Sequence, residues 1–254
     1  MKSWDEIMTL DRNPDENGWQ SSSSAWIERM AERGDFAREH VLDKIMLDRS
    51  LRAGPATALD VGCGEGRFCR MLAERGVHMT GLDPVQAFLG EAQCRHPDGT
   101  YVKGFAEELP FPSGSFDLVI SYLSLIDIED IESAIQEMAR VLRPGGTLLI
   151  ANLTSFATSN GTLGWIETPS DGLMHYPLGT YLEERADWFE WDGLRIRNWH
   201  RPLSRYMSVL LQAGLQLTLF LEPEPTGGPK DQVQKYKRTP FLFVMEWKRP
   251  AERE

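Results

Sequence analysis

Apolar positions in this chain change their spacing three times, and each change marks a boundary. Beyond a polar lead from Asp11 to Ser24, Trp26, Ile27 and Met30 recur at helical spacing. Phe36, Val41, Leu42, Ile45, Met46 and Leu47 continue a helical pattern until Gly54-Pro55 ends it. From there short apolar runs alternate with helical patterns. Strands are expected over 57–61, 77–82, 100–103 and 116–121, with helices over about 65–75, 85–94 and 129–142. Arg143-Pro144-Gly145-Gly146 stops the last helix, and a fifth strand follows over 147–153. Strands separated by helices are what a parallel sheet requires, because a parallel pair needs a long crossover.

The alternation then breaks. Residues 154–200 are rich in Gly, Trp, Tyr and Pro, with no crossover helix in most of them. Two β-like runs, 187–191 and 194–199, flank Asp192-Gly193, a strong short-range hairpin signal that predicts an antiparallel ribbon. A helix over about 203–213 and strands over 215–222 and 240–248 resume the layers. The segment 222–232, rich in Glu, Pro and Gly, reads as a mobile loop. The chain therefore divides into an N-terminal helical cap (1–54), a core (55–153), an inserted segment (154–202) and a C-terminal completion of the core (203–254).

Composition narrows the function. The 254 residues are 41% hydrophobic and 26% charged, as in ordinary globular proteins, with a formal net charge of -11. That balance opposes a grip on phosphate backbones, which needs clustered Lys and Arg, so no nucleic-acid partner is expected. Met1 to Glu6 lack a basic stretch leading into an apolar one, and no run of about 18 apolar residues occurs, so neither a targeting segment nor a membrane partner is expected. Cys63, Cys69 and Cys94 form no CxxC and no metal-ligand spacing, which fits reduced thiols in a cytoplasmic protein and no metal site.

Candidate chemistry starts at Gly62-x-Gly64-x-Gly66, directly after the first strand. In a doubly wound sheet that loop sits where ligands bind. It is one residue shorter than the dinucleotide fingerprint, which favours a ligand without phosphates at this point. A tight turn that merely needs left-handed backbone is the plainer alternative. Asp83 ends the second strand about twenty residues on, where a carboxylate can accept both hydroxyl protons of a ribose, or simply cap the next helix. Phe105-Ala106-Glu107-Glu108-Leu109-Pro110-Phe111 follows the third strand, and Leu142 to Thr147 precede the fifth.

In order and spacing these features over 57–153 resemble the class I S-adenosylmethionine-dependent methyltransferases, in particular the small-molecule subgroup that includes the ubiquinone/menaquinone C-methyltransferases. The resemblance implies a Rossmann-like, doubly wound α/β fold of seven strands with an antiparallel last strand. An N-terminal helical lid and the β-ribbon after strand five would complete it. It implies S-adenosylmethionine as cofactor and S-adenosylhomocysteine as product. Gly62, Gly64 and Gly66 would line the methionine end, and Asp60 would orient the loop and the amino group. Asp83 would hold the ribose, Pro84 or Val85 would lie near the adenine, Ala106 and Glu107 at the adenine edge, and Ser121 against the methionyl portion. The family usually carries an aspartate where this chain has Phe105, which leaves adenine recognition to backbone amides and Glu107.

Methyl transfer from a sulfonium is an in-line displacement that needs positioning and a dry pocket rather than a metal. A base helps when the nucleophile carries a proton, and His200 in Asn198-Trp199-His200-Arg201-Pro202 is the candidate. Hydrogen bonding to the lid backbone is its alternative role. Seven aromatic residues between Trp165 and Trp199 offer either a substrate wall or the ribbon's own small core. The expected activity is methyl transfer to a small organic acceptor on oxygen, nitrogen or carbon. An NAD-dependent oxidoreductase and a cofactor-binding protein without turnover stand as alternatives, and a homodimer is left open.

Overall fold

The computed structural model describes residues 15–30, 33–52, 54–169 and 174–251. Positions 11–14 of the polar lead lie outside the described residues. The elements are α1 (Trp19–Met30), a π-helical turn (Arg38–Leu42), α2 (Asp43–Leu51), β1 (Thr57–Val61), α3 (Arg67–Ala73), β2 (His78–Asp83) and α4 (Gln86–Arg95). Then follow β3 (Thr100–Lys103), β4 (Phe116–Tyr122), α5 (Ile131–Val141), β5 (Leu142–Leu153) and α6 (Ser155–Ser159). The chain continues with β6 (Ile166–Glu167), β7 (Met174–His175), β8 (Arg185–Trp191), β9 (Leu194–His200) and α7 (Leu203–Gln212). It closes with β10 (Gln216–Leu221), α8 (Lys230–Arg238) and β11 (Leu242–Lys248).

Seven strands form one sheet in the order β10-β11-β5-β4-β1-β2-β3, with β11 antiparallel to both of its neighbours. The other pairings are parallel. Helices cover both faces, so the central strands are apolar on each side. Leu59, Leu148, Ile150 and Trp247 pack beneath α5 and α7 on one face. Ala58, Leu118, Ile120 and Leu149 meet α3 and Leu42 and Met46 of the N-terminal region on the other. Strand order reverses between β1 and β4, and a crevice opens at their carboxyl ends.

Three local expectations are corrected. Helix α1 begins at Trp19, inside the stretch read as polar lead, because its serines bond locally: Ser21 N–H donates to Asp15 Oδ1 at 2.9 Å, and Ser23 Oγ to the carbonyl of Gln20 at 2.9 Å. The stop signal Arg143 to Gly146 is absorbed into β5 as an out-of-register bulge. Phe116 pairs with Leu142 while Leu118 pairs with Thr147, and Gly145 N–H and Gly146 O bond to Arg249. Helix α8 starts inside the segment read as a loop and buries no residue fully, so no apolar stripe announced it. Tyr236 holds it, 4.9 Å from Phe36 and from Phe241 between ring centroids.

The ribbon forms as expected, with Asp192 and Gly193 both at positive φ, the backbone of a tight hairpin turn. Helix α1 hangs on it. Ser22 Oγ donates to Arg195 O at 3.1 Å and accepts from Arg195 N–H at 2.9 Å, while Arg29 and Asp192 form an ion pair at 2.5 Å. The cap is thereby brought over the crevice.

Candidate functional site

Strand β1 delivers Asp60 to the crevice in register with Gly81 and Ile120, and the chain must then turn sharply into α3. Gly62, Gly64 and Gly66 all take left-handed backbone there, at φ of 79°, 54° and 74°. Their surroundings differ. A Cβ on Gly62 would lie 2.5 Å from Ser124 Cβ, and one on Gly66 would lie 2.8 Å from the Tyr101 ring. A Cβ on Gly64 would meet nothing within 4 Å. Gly62 and Gly64 border the open cavity, whereas Gly66 does not: it precedes α3 and is required by packing against Tyr101.

Asp83 closes the loop from the next strand. Its Oδ2 accepts from Gly64 N–H and its Oδ1 from Val85 N–H, each at 2.9 Å. Burial raises its pKa to about 6, against those two hydrogen bonds. Asp60 is 1% exposed, and burial raises its pKa to about 7. Its Oδ2 faces Cys69 Sγ at 3.6 Å, but among the described residues its Oδ1 has no hydrogen-bond partner. Glu65 likewise leaves Oε1 without one, with Arg70 at 3.8 Å. Asp127 is a third buried carboxyl, raised to about 7 by desolvation although the Trp19 and Asn198 side chains donate to it.

These groups surround a cavity of about 640 Å³. Buried carboxyl oxygens left unpaired are costly unless a donor or cation meets them. The site thus has the chemistry of a receptor for a positively charged, hydrogen-bonding ligand. Pro84, Val85, Phe105, Ala106 and Glu107 line one lobe, where Trp19 stands 6.0 Å from Phe88 between ring centroids. Tyr122, Leu153, Tyr236 and Leu242 line another, which is mostly apolar.

Two expected site residues lie elsewhere. Ser121 is fully buried behind the wall, its Oγ 2.7 Å from Ser124 Oγ, and Ser124 faces the cavity instead. Side chains alternate along β4, and the chain beyond its end is what turns inward. His200 is 1% exposed and outside the cavity lining. Its Nε2 lies 2.8 Å from Tyr181 O and its Nδ1 2.7 Å from Thr158 Oγ1. A carbonyl accepts only, so Nε2 carries the proton and Nδ1 accepts from Thr158. Burial also lowers the pKa of His200, and no lone pair remains to act as a base on a ligand in the cavity. The backbone-bonding alternative is the one realised.

The aromatic wall is redistributed as well. Of the seven aromatic residues between Trp165 and Trp199, Trp191 alone borders the cavity, while Trp165 and Tyr176 pack with Phe241. Trp19, Trp26, Phe68, Phe88, Phe105, Tyr122 and Tyr236 supply the other rings that border the ligand space. Arg38, Ser124 and Asp127 were missed too. Asp127 carried a usable signal, an acidic residue in an apolar run just beyond a central strand.

The geometry has close relatives. Residues 59–150 match the methyltransferase domain family. Over 210 residues the chain is 37% identical to malonyl-[acyl-carrier protein] O-methyltransferase of Salmonella typhimurium, covering 74% of this chain and 80% of that protein. The chain belongs to the class I S-adenosylmethionine-dependent methyltransferases. A demethylmenaquinone methyltransferase of Beutenbergia cavernae is 34% identical over 128 residues, half of each chain. The solved structure of an S-adenosylmethionine dependent methyltransferase from Mesorhizobium loti superposes with a TM-score of 0.70 at 26% identity, over 79% of this chain and 96% of that one. The chain spans only about half the length of several relatives it matches, including 53% of an uncharacterized methyltransferase of Synechocystis. Among the described residues no helix is long and apolar enough to cross a membrane.

Proposed function

We propose that the chain transfers a methyl group from S-adenosylmethionine to a small organic acceptor. The observation that carries this reading is the unpaired, buried Oδ1 of Asp60 beside the Gly62–Gly64 turn, at a switch point also bordered by Asp83. When bound, S-adenosylmethionine supplies a methyl group already activated on a sulfonium. The fit is chemical: a ligand with an ammonium, a sulfonium and a ribose offers positive charge and donors to carboxyls that lack them.

In this reading Asp83 receives the ribose hydroxyls on the lone pairs that Gly64 and Val85 leave free, and Asp60 receives the amino group. Pro84, Ala106 and Glu107 border the adenine. Ser124 takes the place expected for Ser121, and Gly66 acts through packing alone. The acceptor enters the apolar lobe at Tyr122, Leu153 and Leu242, where exclusion of water and alignment for in-line displacement are the protein's main contribution. Because His200 is spent on Tyr181 and Thr158, no step is assigned to it. The cap (1–54) and the insertion (154–202) choose the acceptor, since loops vary over a common sheet. A net charge of -11 supports a small molecule rather than a nucleic acid as acceptor, and three free cysteines support a cytoplasmic setting.

Titration calorimetry with S-adenosylmethionine, S-adenosylhomocysteine and NAD tests the reading. Micromolar binding of both sulfur ligands, lost in Asp83→Ala, is the expected result and justifies screening acceptors by mass shift. Binding of NAD alone would replace methyl transfer with redox chemistry. Binding without any methylated product across acids, amines and phenols would leave a cofactor-binding protein.

A further inference from the structure

Folded chains normally turn aliphatic side chains inward, and the inserted segment does the reverse. Leu182 is 82% exposed, Leu163 60% and Leu178 57%, and Phe156, Ile166 and Met174 are exposed as well. The polar groups of the same region are spent internally. Asn160 Oδ1 accepts from Gly164 N–H at 2.6 Å and its Nδ2 donates to Pro177 O at 2.7 Å, which draws the chain at Leu163 toward that at Leu178. Tyr176 donates to Ala157 O at 3.0 Å, the Tyr181 ring lies 5.7 Å from that of Phe156, and Ile166 pairs with His175. The six apolar side chains therefore belong to one lobe, and none of them lines the cavity. An apolar patch of this kind marks a contact surface.

The neighbouring helix carries the charge that names the partner. Helix α8 holds Lys230, Lys235, Lys237 and Arg238 against Asp231 alone, in a chain whose net charge is -11. All four cations are exposed, with Glu224 meeting Lys237 at 3.7 Å. Arg238 joins the helix to the lobe: its Nη2 donates to Met174 O at 2.6 Å, and its guanidinium carbon lies 5.2 Å from the Trp165 ring centroid. We propose that the lobe and α8 together dock on an anionic lipid bilayer, the aliphatic side chains entering the headgroup boundary while the cations of α8 meet the headgroups. Apolar area buried at that boundary and attraction to anionic lipid are the two terms that hold a protein surface on a membrane. Salt screens charge beyond about 10 Å, so the cations of α8 outweigh acids elsewhere on the molecule. The lack of a helix able to cross a membrane among the described residues bears on spanning a bilayer and not on resting against one. Rings of Trp165, Tyr176, Phe241 and Tyr236 run from the lobe to the apolar end of the cavity, so docking sets that end beside the lipid. This surface goes beyond the methyl-transfer reading and stands or falls without it.

Co-sedimentation of the full chain with vesicles of phosphatidylcholine alone, and of phosphatidylcholine mixed with phosphatidylglycerol, tests the surface with no cofactor present. The wild type is expected to bind the mixed vesicles about 10-fold more tightly than the neutral ones and to lose that margin in high salt. Lys230→Gln combined with Lys235→Gln should erase the margin, and Leu178→Ser combined with Leu182→Ser should weaken binding to the mixed vesicles about 10-fold. All four side chains are exposed, so both variants should keep the wild-type thermal midpoint, which separates lost docking from lost folding. A folded wild type that stays in solution beside the mixed vesicles at low salt overturns the proposal, as does binding that neither variant changes. Light scattering tests the other occupant: a wild-type dimer that Leu178→Ser with Leu182→Ser splits into monomers would make the lobe a contact between two copies and overturn the lipid assignment.

Discussion

The two walls of the cavity are made of different materials. On the sheet side, backbone turns and short carboxyls are fixed by strand register: Asp60 and Asp83 sit on β1 and β2, and Gly64 N–H is tied to Asp83. On the cap side, long side chains from α1 and the π-helical turn reach in, and what positions Trp19, Trp26 and Arg38 is contact with one another and with the ribbon. The sheet side resists change because any displacement moves the whole strand. The cap side is held by side-chain contacts and by its seam with the ribbon rather than by strand register.

The largest effect expected from that contrast is on the sheet side. Gly62→Ala should cost about 3 kcal/mol of stability, combining left-handed strain with the clash at Ser124, whereas Gly64→Ala should cost about 1 kcal/mol because its Cβ meets open space. Thermal unfolding of the two variants measures the difference, and equal losses would mean that the turn is not packed against Ser124. His200→Phe comes next, at about 2 kcal/mol of stability through loss of the Tyr181 and Thr158 bonds. Cofactor affinity should stay within about twofold, and a normal fold with a large fall in kcat would restore His200 to catalysis. On the cap side, Trp19→Ala should weaken S-adenosylhomocysteine about 10-fold, since it removes a ring from the lobe and a donor from Asp127. Calorimetry that shows no change would place the ligand beyond the reach of α1.

The last expectation is the dependence on pH. Asp60 and Asp127 have pKa values raised to about 7 and Asp83 to about 6. A carboxyl raised in the folded state adds stability below its ordinary pKa and loses that contribution as pH climbs through the folded value. The ligand-free protein should therefore lose thermal stability between about pH 4 and pH 7, from the ordinary carboxyl range up to the folded values. Cationic ligands favour the ionised carboxyls, so binding near pH 6 should release about one proton and tighten as pH rises. Calorimetry in two buffers of different ionisation heat counts that proton, and uptake instead of release would mean that Asp60 does not receive the positive charge.

The two walls also differ in how well they can be read from residues alone. Strands β1 to β5 announce themselves because a parallel sheet buried on both faces needs continuous apolar runs, and Gly and Pro punctuate its loops. Asp60, Gly62, Gly64 and Asp83 follow from position in that frame. Ser121 and Ser124 could not be told apart without the path of the chain beyond β4. Arg38 and Trp19 were invisible as site residues because nothing local points them at the crevice. Trp19 reaches it through the packing of α1 on β9, which joins positions 173 residues apart at Ser22 and Arg195, and Arg38 is held there by Asp35 and by the Trp26 and Tyr122 rings.

That seam has an evolutionary consequence. The ribbon belongs to the part of the chain free to diverge for new acceptors, yet the helix it carries also closes over the donor. A lineage that altered β9 to admit a different acceptor would shift Trp19 and Trp26, both on α1, in the same stroke. Drift toward new substrates is therefore coupled to retention of the cofactor, and viable changes in the ribbon should be those matched by changes along the Ser22 face of α1.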